Sequence, residues 1–242
     1  MTKLHRKDLK HDEIQEKLGD AFRDITLHSR EVVYIIILVL AIGAIAAAWY
    51  YYEQNQRAQS QALLADAMEK YNTTPGQPQL DPSLPKPKYS YNTDAEKYQA
   101  ALTDFEKIAS KYGNTPAGEM ARYYAGASAF YLKQNAKAED YLKQSTRISD
   151  KNILYYLSRT TLADLYNDTG KSDQAIQLLK EAVDNNKEIV PQENLLMELG
   201  ESYKKAGKIQ DAENTYRKIL DDYKDSPVSY QAQIKMNELK VK

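Results

Sequence analysis

The sequence predicts an all-α protein in which one N-terminal apolar helix precedes an α-solenoid of about four helix pairs and a C-terminal capping helix. Three observations predict this arrangement. Residues 32–52 contain no charge and no proline, and the chain beyond them repeats itself at a shift of 37 residues. The last helical segment, after Pro227, carries an apolar face that would cover the end of such an array.

The apolar run at residues 32–52 has the length of a membrane span. Its 21 residues would form a helix of about 31 Å, close to the hydrocarbon thickness of a bilayer. A cleaved signal usually has a shorter apolar run behind a short basic start, although Ala46 and Ala48 fit a small-x-small cleavage pattern. A buried core helix fits less well, because no other segment is apolar enough to surround it. We interpret residues 32–52 as a single transmembrane helix in contact with the lipid bilayer.

The distribution of lysine and arginine predicts the orientation of this anchor. Seven such residues precede the span, whereas the twenty residues after it contain only Arg57 and Lys70. Positive residues are enriched on the cytoplasmic side of membrane proteins. We therefore expect the tail, residues 1–31, in the cytoplasm and residues 53–242 outside it.

The cytoplasmic tail contains an amphipathic pattern. Ile14, Leu18, Phe22 and Ile25 recur at helical spacing. The pattern is typical of an interfacial or partner-binding helix. It is equally consistent with a weakly ordered tail, and both interpretations stay open.

Composition limits the classes of function. The 242 residues are 28% charged with a net charge of −1, which favours neither nucleic acid nor an anionic surface as a partner. There is no cysteine, and the histidines are His5, His11 and His28, all in the tail. Histidine- and thiol-based catalysis or metal binding is therefore impossible beyond the membrane, and we expect the acidic residues on solvated helix faces. The sequence predicts a protein that is not an enzyme, with no catalytic, metal or cofactor residues and no small-molecule substrate.

Helical and extended segments organise the chain around the repeats. Residues 53–72 should continue the helix of the membrane span, with an apolar stripe that ends at Tyr71. We interpret them as the first helix of an interrupted repeat, with residues 94–112 as the partner helix. The intervening residues 73–93 hold five prolines and one glycine, which predicts an extended linker or a wrapping loop. Residues 230–242 should form the capping helix.

Residues 94–229 contain four sets of positions that recur at the 37-residue shift. Small residues at fixed places would let two helices approach closely, and large residues would wedge between neighbouring helix pairs. The four registers are Ala101, Ala138, Ala175 and Ala212; Phe105, Leu142, Leu179 and Tyr216; Gly126, Ala163 and Gly200; and Lys133, Gly170 and Gly207.

These positions resemble the tetratricopeptide repeat. That family has a small residue and an aromatic in helix A, glycine at the turn, and alanine and an aromatic in helix B. The period of 37 exceeds the usual 34, so longer joints between units are expected. The best match, "LGESYKKAGKIQDAENTYRKIL", places Gly200, Tyr203, Gly207, Ala212 and Tyr216 at these sites.

The whole arrangement also resembles the YfgM-like ancillary translocon subunits of bacterial inner membranes. It shares a short charged tail, one span, an alanine-rich helix and repeats outside the cytoplasm. This resemblance implies a single-pass protein of the bacterial inner membrane, with its N-terminus cytoplasmic and its repeats periplasmic or otherwise extracytoplasmic.

The resemblance to tetratricopeptide repeats implies that helix A of each unit lines a concave, protein-binding surface. A clamp for C-terminal carboxylates is not expected, because Tyr123, Thr160 and Asp164 occupy the places of its lysine and asparagine residues. Tyr123 and Phe130 could contact a ligand or pack against the linker or first helix, and both interpretations stay open. Carried over by register, the partner-binding residues are Tyr123, Phe130, Thr160, Asp164, Asn167, Asn194, Met197, Glu201 and Lys204.

Two functions follow from a membrane-anchored protein-binding solenoid. The first is a chaperone-like adaptor near the secretion machinery, which holds translocating chains on the extracytoplasmic side. The second is a structural or scaffold subunit of a larger membrane assembly. In either role the expected partners are proteins, with no nucleic acid among them.

Overall fold

The computed structural model describes residues 29–76 and 88–240, in which there are nine α-helices and no strand. The amphipathic pattern predicted in the tail and most of the proline-rich linker lie outside the described residues. The helices are α1 Ser29–Asn72, α2 Asp94–Lys111, α3 Pro116–Tyr131, α4 Asn135–Ser145, α5 Ile153–Asp168, α6 Ser172–Asn185, α7 Gln192–Lys205, α8 Ile209–Asp222 and α9 Pro227–Lys240.

The chain divides into two compact units, residues 1–55 and residues 56–242. Within the first unit, α1 begins with an apolar stretch whose large side chains are exposed from Val33 to Tyr52. None of the most apolar part of this helix is buried. By length and composition, this helix can cross a membrane.

The second unit is an α-solenoid. Each helix from α2 to α9 contacts its neighbours in sequence, and α3, α5, α7 and α9 also contact one another in series. Between the described helices α2, α4, α6 and α8 there are no equivalent contacts. The array is therefore curved, with α3, α5, α7 and α9 on its concave side, as the repeat architecture predicts.

The interior of the solenoid follows the 37-residue registers. A Cβ atom on Gly126 would lie 2.7 Å from Cγ of Leu142, and one on Gly200 would lie 2.4 Å from Cε1 of Tyr216. The small register positions are thus places where helices approach too closely for a larger side chain. The alanine register and the register of large side chains that begins at Phe105 are fully buried. Their eight residues are Ala101, Ala138, Ala175, Ala212, Phe105, Leu142, Leu179 and Tyr216.

The fourth register marks the turn between the two helices of a unit. Lys133, Gly170 and Gly207 all have positive φ angles, of 57°, 74° and 73°. In each turn the next residue donates its N–H to the carbonyl five residues before it, which is the bond of a Schellman motif. These bonds join Gln134 to Ala129 at 2.9 Å, Lys171 to Tyr166 at 2.7 Å and Lys208 to Tyr203 at 2.9 Å.

The end of α1 packs against α2. The ring of Tyr71 lies edge-on to that of Phe105, with centroids 6.0 Å apart. Near its C-terminal end, the proline-rich segment contacts α1: the hydroxyl of Tyr89 donates to Asp66 at 2.7 Å, and Lys88 forms an ion pair with the same carboxylate. These contacts hold the C-terminal end of the proline-rich segment near the first helix pair.

Helix α9 closes the last hydrophobic face. Ala232 is fully buried, and Met236 and Leu239 pack against the cluster that contains Tyr216 and Ile219. The predicted capping face is the one that the structure buries.

Candidate functional site

The concave side of the solenoid contains a cleft of about 440 Å³ between α5, α7 and the start of α9. Three of the predicted partner-binding residues line it: Thr160, Asn194 and Met197. Most of the other lining side chains are apolar. They are Ile153, Tyr156, Leu157, Val190, Pro191, Leu195 and Val228, together with polar Glu198 and Gln231.

Helix α5 supplies one wall of this cleft. Asn152 caps the helix, because its side-chain oxygen accepts a hydrogen bond from the backbone N–H of Leu154 at 3.0 Å. From that start, Ile153, Leu157 and Thr160 follow one another at spacings of four and three and so share a face. Asp164 continues the same face one turn further on.

Helix α7 supplies the opposite wall. Its cleft-lining residues Asn194, Met197 and Glu198 lie within one turn of one another. The start of α9 is attached to α7 by Ser226, whose hydroxyl donates to the carboxylate of Glu193 at 2.9 Å. This attachment places the N-terminal turn of α9 at the edge of the cleft.

The predicted aromatic residues Tyr123 and Phe130 lie elsewhere on the concave side. Both are partly buried and pack against the buried core that contains Phe105, Leu142 and Leu162. The ring of Tyr123 lies edge-on to Tyr124 at 4.9 Å, and its hydroxyl is 3.5 Å from the hydroxyl of Thr161. Much of this pair is therefore engaged within the protein, and its contact with a ligand stays a prediction.

The predicted polar residues Asn167, Glu201 and Lys204 have partners within the solenoid. Their contacts join α5 to α7, and α7 to α8 and α9. These three side chains are therefore less free to contact a ligand. The amide of Asn167 donates to the hydroxyl of Ser202 at 2.8 Å, Glu201 accepts from Tyr216 at 2.9 Å, and Lys204 pairs with Glu238 at 2.6 Å.

Two carboxyl groups on the concave face have raised pKa values. Desolvation by burial raises the pKa of Asp164 from 3.8 to about 6. Desolvation is also the main cause that raises the pKa of Glu198 from 4.5 to about 7, with a further contribution from the charge of Asp164. Glu198 is not among the partner-binding residues predicted from the sequence, although it adjoins Met197, because an acidic residue on a helix usually lies on a solvated face.

Alternate helices that line a concave, partly apolar cleft define a helical-repeat binding module. The chain belongs to the tetratricopeptide repeat-like domain family, which matches residues 29–241. No curated protein matches the sequence.

Two solved structures are similar to part of this chain. A candidate kinesin light chain from Podosopora anserina, with nearly identical TPR-like repeats, has 17% sequence identity and a TM-score of 0.52 over 60% of this chain and 77% of that chain. PilW, a type IV pilus biogenesis factor, has 18% identity and a TM-score of 0.48 over 57% of this chain and 60% of its own.

Proposed function

We propose that this chain is a membrane-anchored protein-binding module that acts as a chaperone-like adaptor near the secretion machinery, on the extracytoplasmic side. The observation that carries the proposal is the apolar cleft on the concave face. Ile153 at its edge is 50% exposed although it is a large aliphatic residue. Exposed apolar side chains in a concavity are suited to holding unfolded segments.

The membrane part of the proposal rests on α1 and on charge. Residues 32–52 are the proposed span, since they are apolar, exposed and free of charge. The excess of lysine and arginine before the span supports a cytoplasmic tail. The resemblance to YfgM-like translocon subunits supports the bacterial inner membrane as the location, with periplasmic repeats.

The proposed activity is binding, without catalysis, cofactor or nucleic acid. A helical repeat presents a long surface for protein contacts, and the near-zero net charge gives no electrostatic preference for a polyanion. Function in such a fold depends on the site and not on the fold alone. The experiment must therefore test the cleft itself.

A photo-activated crosslinking residue at Leu157, on the wall of the cleft, tests the adaptor in intact membranes. Gln177 is the matched control, because it is exposed on α6, away from the concave helices. Pulse-labelled, newly exported chains should crosslink from position 157 and disappear during the chase. Equal labelling from both positions, or none from position 157, would contradict the adaptor.

A structural subunit is the second candidate, favoured by the exposed face of α9. Tyr230 is 74% exposed and Ile234 is 42% exposed on the last helix of the solenoid. Such a face could form a fixed interface with another subunit. In the same experiment, a single partner of constant stoichiometry that persists through the chase would favour this function over the adaptor.

Protease treatment of spheroplasts tests the orientation. Protease should digest residues 53–242 and spare residues 1–31. Protection of the repeats in spheroplasts, with digestion only after lysis, would contradict the proposed topology.

A further inference from the structure

The cleft between α5, α7 and α9 is lined by apolar side chains together with one carboxylate. Leu157, Met197 and Val228 are among the apolar lining residues, and Glu198 is the acidic one. Asp164 lies one turn beyond Thr160 on the same face of α5. An occupant of this cleft would therefore meet apolar and acidic groups side by side.

The two carboxylates differ from the other acidic residues around them. Within the part of the chain that the structure describes, neither Asp164 nor Glu198 forms an ion pair, whereas the neighbouring carboxylates each have a lysine partner. The neighbouring pairs are Asp168 with Lys205 at 3.3 Å, Glu201 with Lys235 at 3.2 Å and Glu238 with Lys204 at 2.6 Å.

The unpaired state of these carboxylates is energetically unfavourable. Burial raises the pKa of both groups, because partial removal from water disfavours the charged form. The charges that act on Glu198 are Asp164 and Glu201, which disfavour its ionisation, and more weakly Lys205 and Lys235, which favour it. A further cation placed between the two carboxylates would offset their burial and their mutual repulsion, and would favour the charged form of both.

We infer that the cleft binds a segment of a partner polypeptide in which an arginine or lysine is flanked by aliphatic residues. The cationic group would lie between Asp164 and Glu198, and an aliphatic neighbour would contact Leu157 and Met197. This inference rests on the proposed function and names the chemistry of its ligand. Charge complementarity is its basis, since an opposite charge in a partly desolvated site is recognised more selectively than at an exposed surface.

The same geometry disfavours an acidic ligand. A C-terminal carboxylate on the concave face would meet Asp164 and Glu198, and the nearby Lys205 and Lys235 already pair with Asp168 and Glu201. Its repulsion by these groups would cost binding energy and would exclude such ligands. The cleft therefore selects a basic segment by attraction and rejects an acidic one by repulsion.

Binding of short labelled peptides to the full-length protein in nanodiscs tests the inference. The probe has Leu-Arg-Leu at the centre of a Gly/Ser peptide, and matched peptides have Leu-Gln-Leu, Leu-Glu-Leu or Ser-Arg-Ser there. By fluorescence anisotropy, we expect the Leu-Arg-Leu peptide to bind roughly tenfold more tightly than each of the others, the factor that one favourable pair of about 1.4 kcal/mol gives.

Isosteric variants locate the binding site of the cation. Asp164→Asn and Glu198→Gln should each reduce the preference for arginine over glutamine about fivefold or more, a loss of about 1 kcal/mol. Glu238→Gln is the control, because that carboxylate already pairs with Lys204, and it should leave the preference unchanged. Helical content measured by circular dichroism should be the same in all variants.

The outcomes separate this inference from the proposed function. Equal binding of the arginine and glutamine peptides would overturn the inference and leave a general apolar binder. Failure of the Leu-Arg-Leu peptide to bind, with crosslinking from position 157 intact, would overturn the inference alone. Equal binding of the Ser-Arg-Ser peptide would also overturn it, since the apolar part would then contribute nothing.

Discussion

Gly200 and Tyr216 are in such close contact that a single methyl group would not fit between them. A Cβ atom on Gly200 would lie 2.4 Å from Cε1 of the tyrosine ring, which is fully buried. Gly126 has the same relationship to Leu142, at 2.7 Å. In the middle unit the corresponding register positions hold Ala163 and its partner Leu179. The register therefore combines glycine or alanine with leucine, and glycine with the larger tyrosine.

Gly200→Ala should destabilise the solenoid by about 1 to 3 kcal/mol, the usual cost of overpacking a tight core contact. The backbone of α7 or the ring of Tyr216 would have to move. The free energy of unfolding, from urea titration followed by circular dichroism, measures this loss.

The double variant Gly200→Ala with Tyr216→Leu is the matched test, because it copies the Ala163 and Leu179 combination of the middle unit. It should recover part of the stability that Gly200→Ala loses. If the loss of stability in the double variant equals the sum of the losses in Gly200→Ala and Tyr216→Leu, the two positions are not in contact.

Lys133→Gly should stabilise the protein by about 0.5 to 1 kcal/mol. Lys133 has a φ angle of 57° where the equivalent positions carry Gly170 and Gly207, and a side chain in this conformation costs about 1 kcal/mol. The exposed ion pair of Lys133 with Asp168, at 3.7 Å, contributes less than that. Thermal unfolding of the full-length protein in detergent measures the change.

The reverse substitution, Gly170→Lys, should destabilise the protein by a similar amount at the same place in the next unit. A lower melting temperature for Lys133→Gly would mean that the contacts of the lysine with Asp168 and with the ring of Phe130 outweigh the backbone strain.

Ala175→Leu and Ala212→Leu should each destabilise the solenoid by a few kcal/mol. Both alanines are fully buried, so the added atoms would overfill a helix contact. Gln177→Leu, on the exposed face of α6, is the control and should change stability by less than about 0.5 kcal/mol. Changes as small as the control at both alanines would contradict the assigned register.

The sequence predicted the fold well, whereas the contacts of the polar side chains on the concave face could not be predicted from it, for a physical reason. Burial in a repeat follows local spacing, so Ala101 or Leu179 could be placed in the core from the 37-residue shift alone. Whether a polar side chain is paired depends on contacts between helices, and residue spacing does not reveal these contacts. Register alone indicated that Asn167 was available for a partner, yet its amide donates to Ser202. It also omitted Glu198, whose unpaired state depends on where the lysines of α7 and α9 reach.

Glu198→Gln should stabilise the protein at neutral and alkaline pH and have no effect in acid. In the folded protein the pKa of Glu198 is about 7, above its ordinary value of 4.5, so the folded state binds more protons than the unfolded state between these values. Stability from this group is therefore fully present below pH 4.5 and is lost as the pH rises to 7. The groups that set this balance are Asp164, Glu201, Lys205 and Lys235.

The expected gain for Glu198→Gln over wild type is about 1 kcal/mol above pH 7.5, less than the whole shift would give because the side chain is partly exposed. Urea unfolding of both proteins at pH 4.5 and pH 8 measures the difference. Glu238→Gln is the control of opposite sign, since the hydrogen bond from Lys204 lowers the pKa of that carboxyl group, and removal of its charge should give no gain at pH 8. A stability difference between Glu198→Gln and wild type that is the same at both pH values would show that the carboxylate of Glu198 is not desolvated in the cleft.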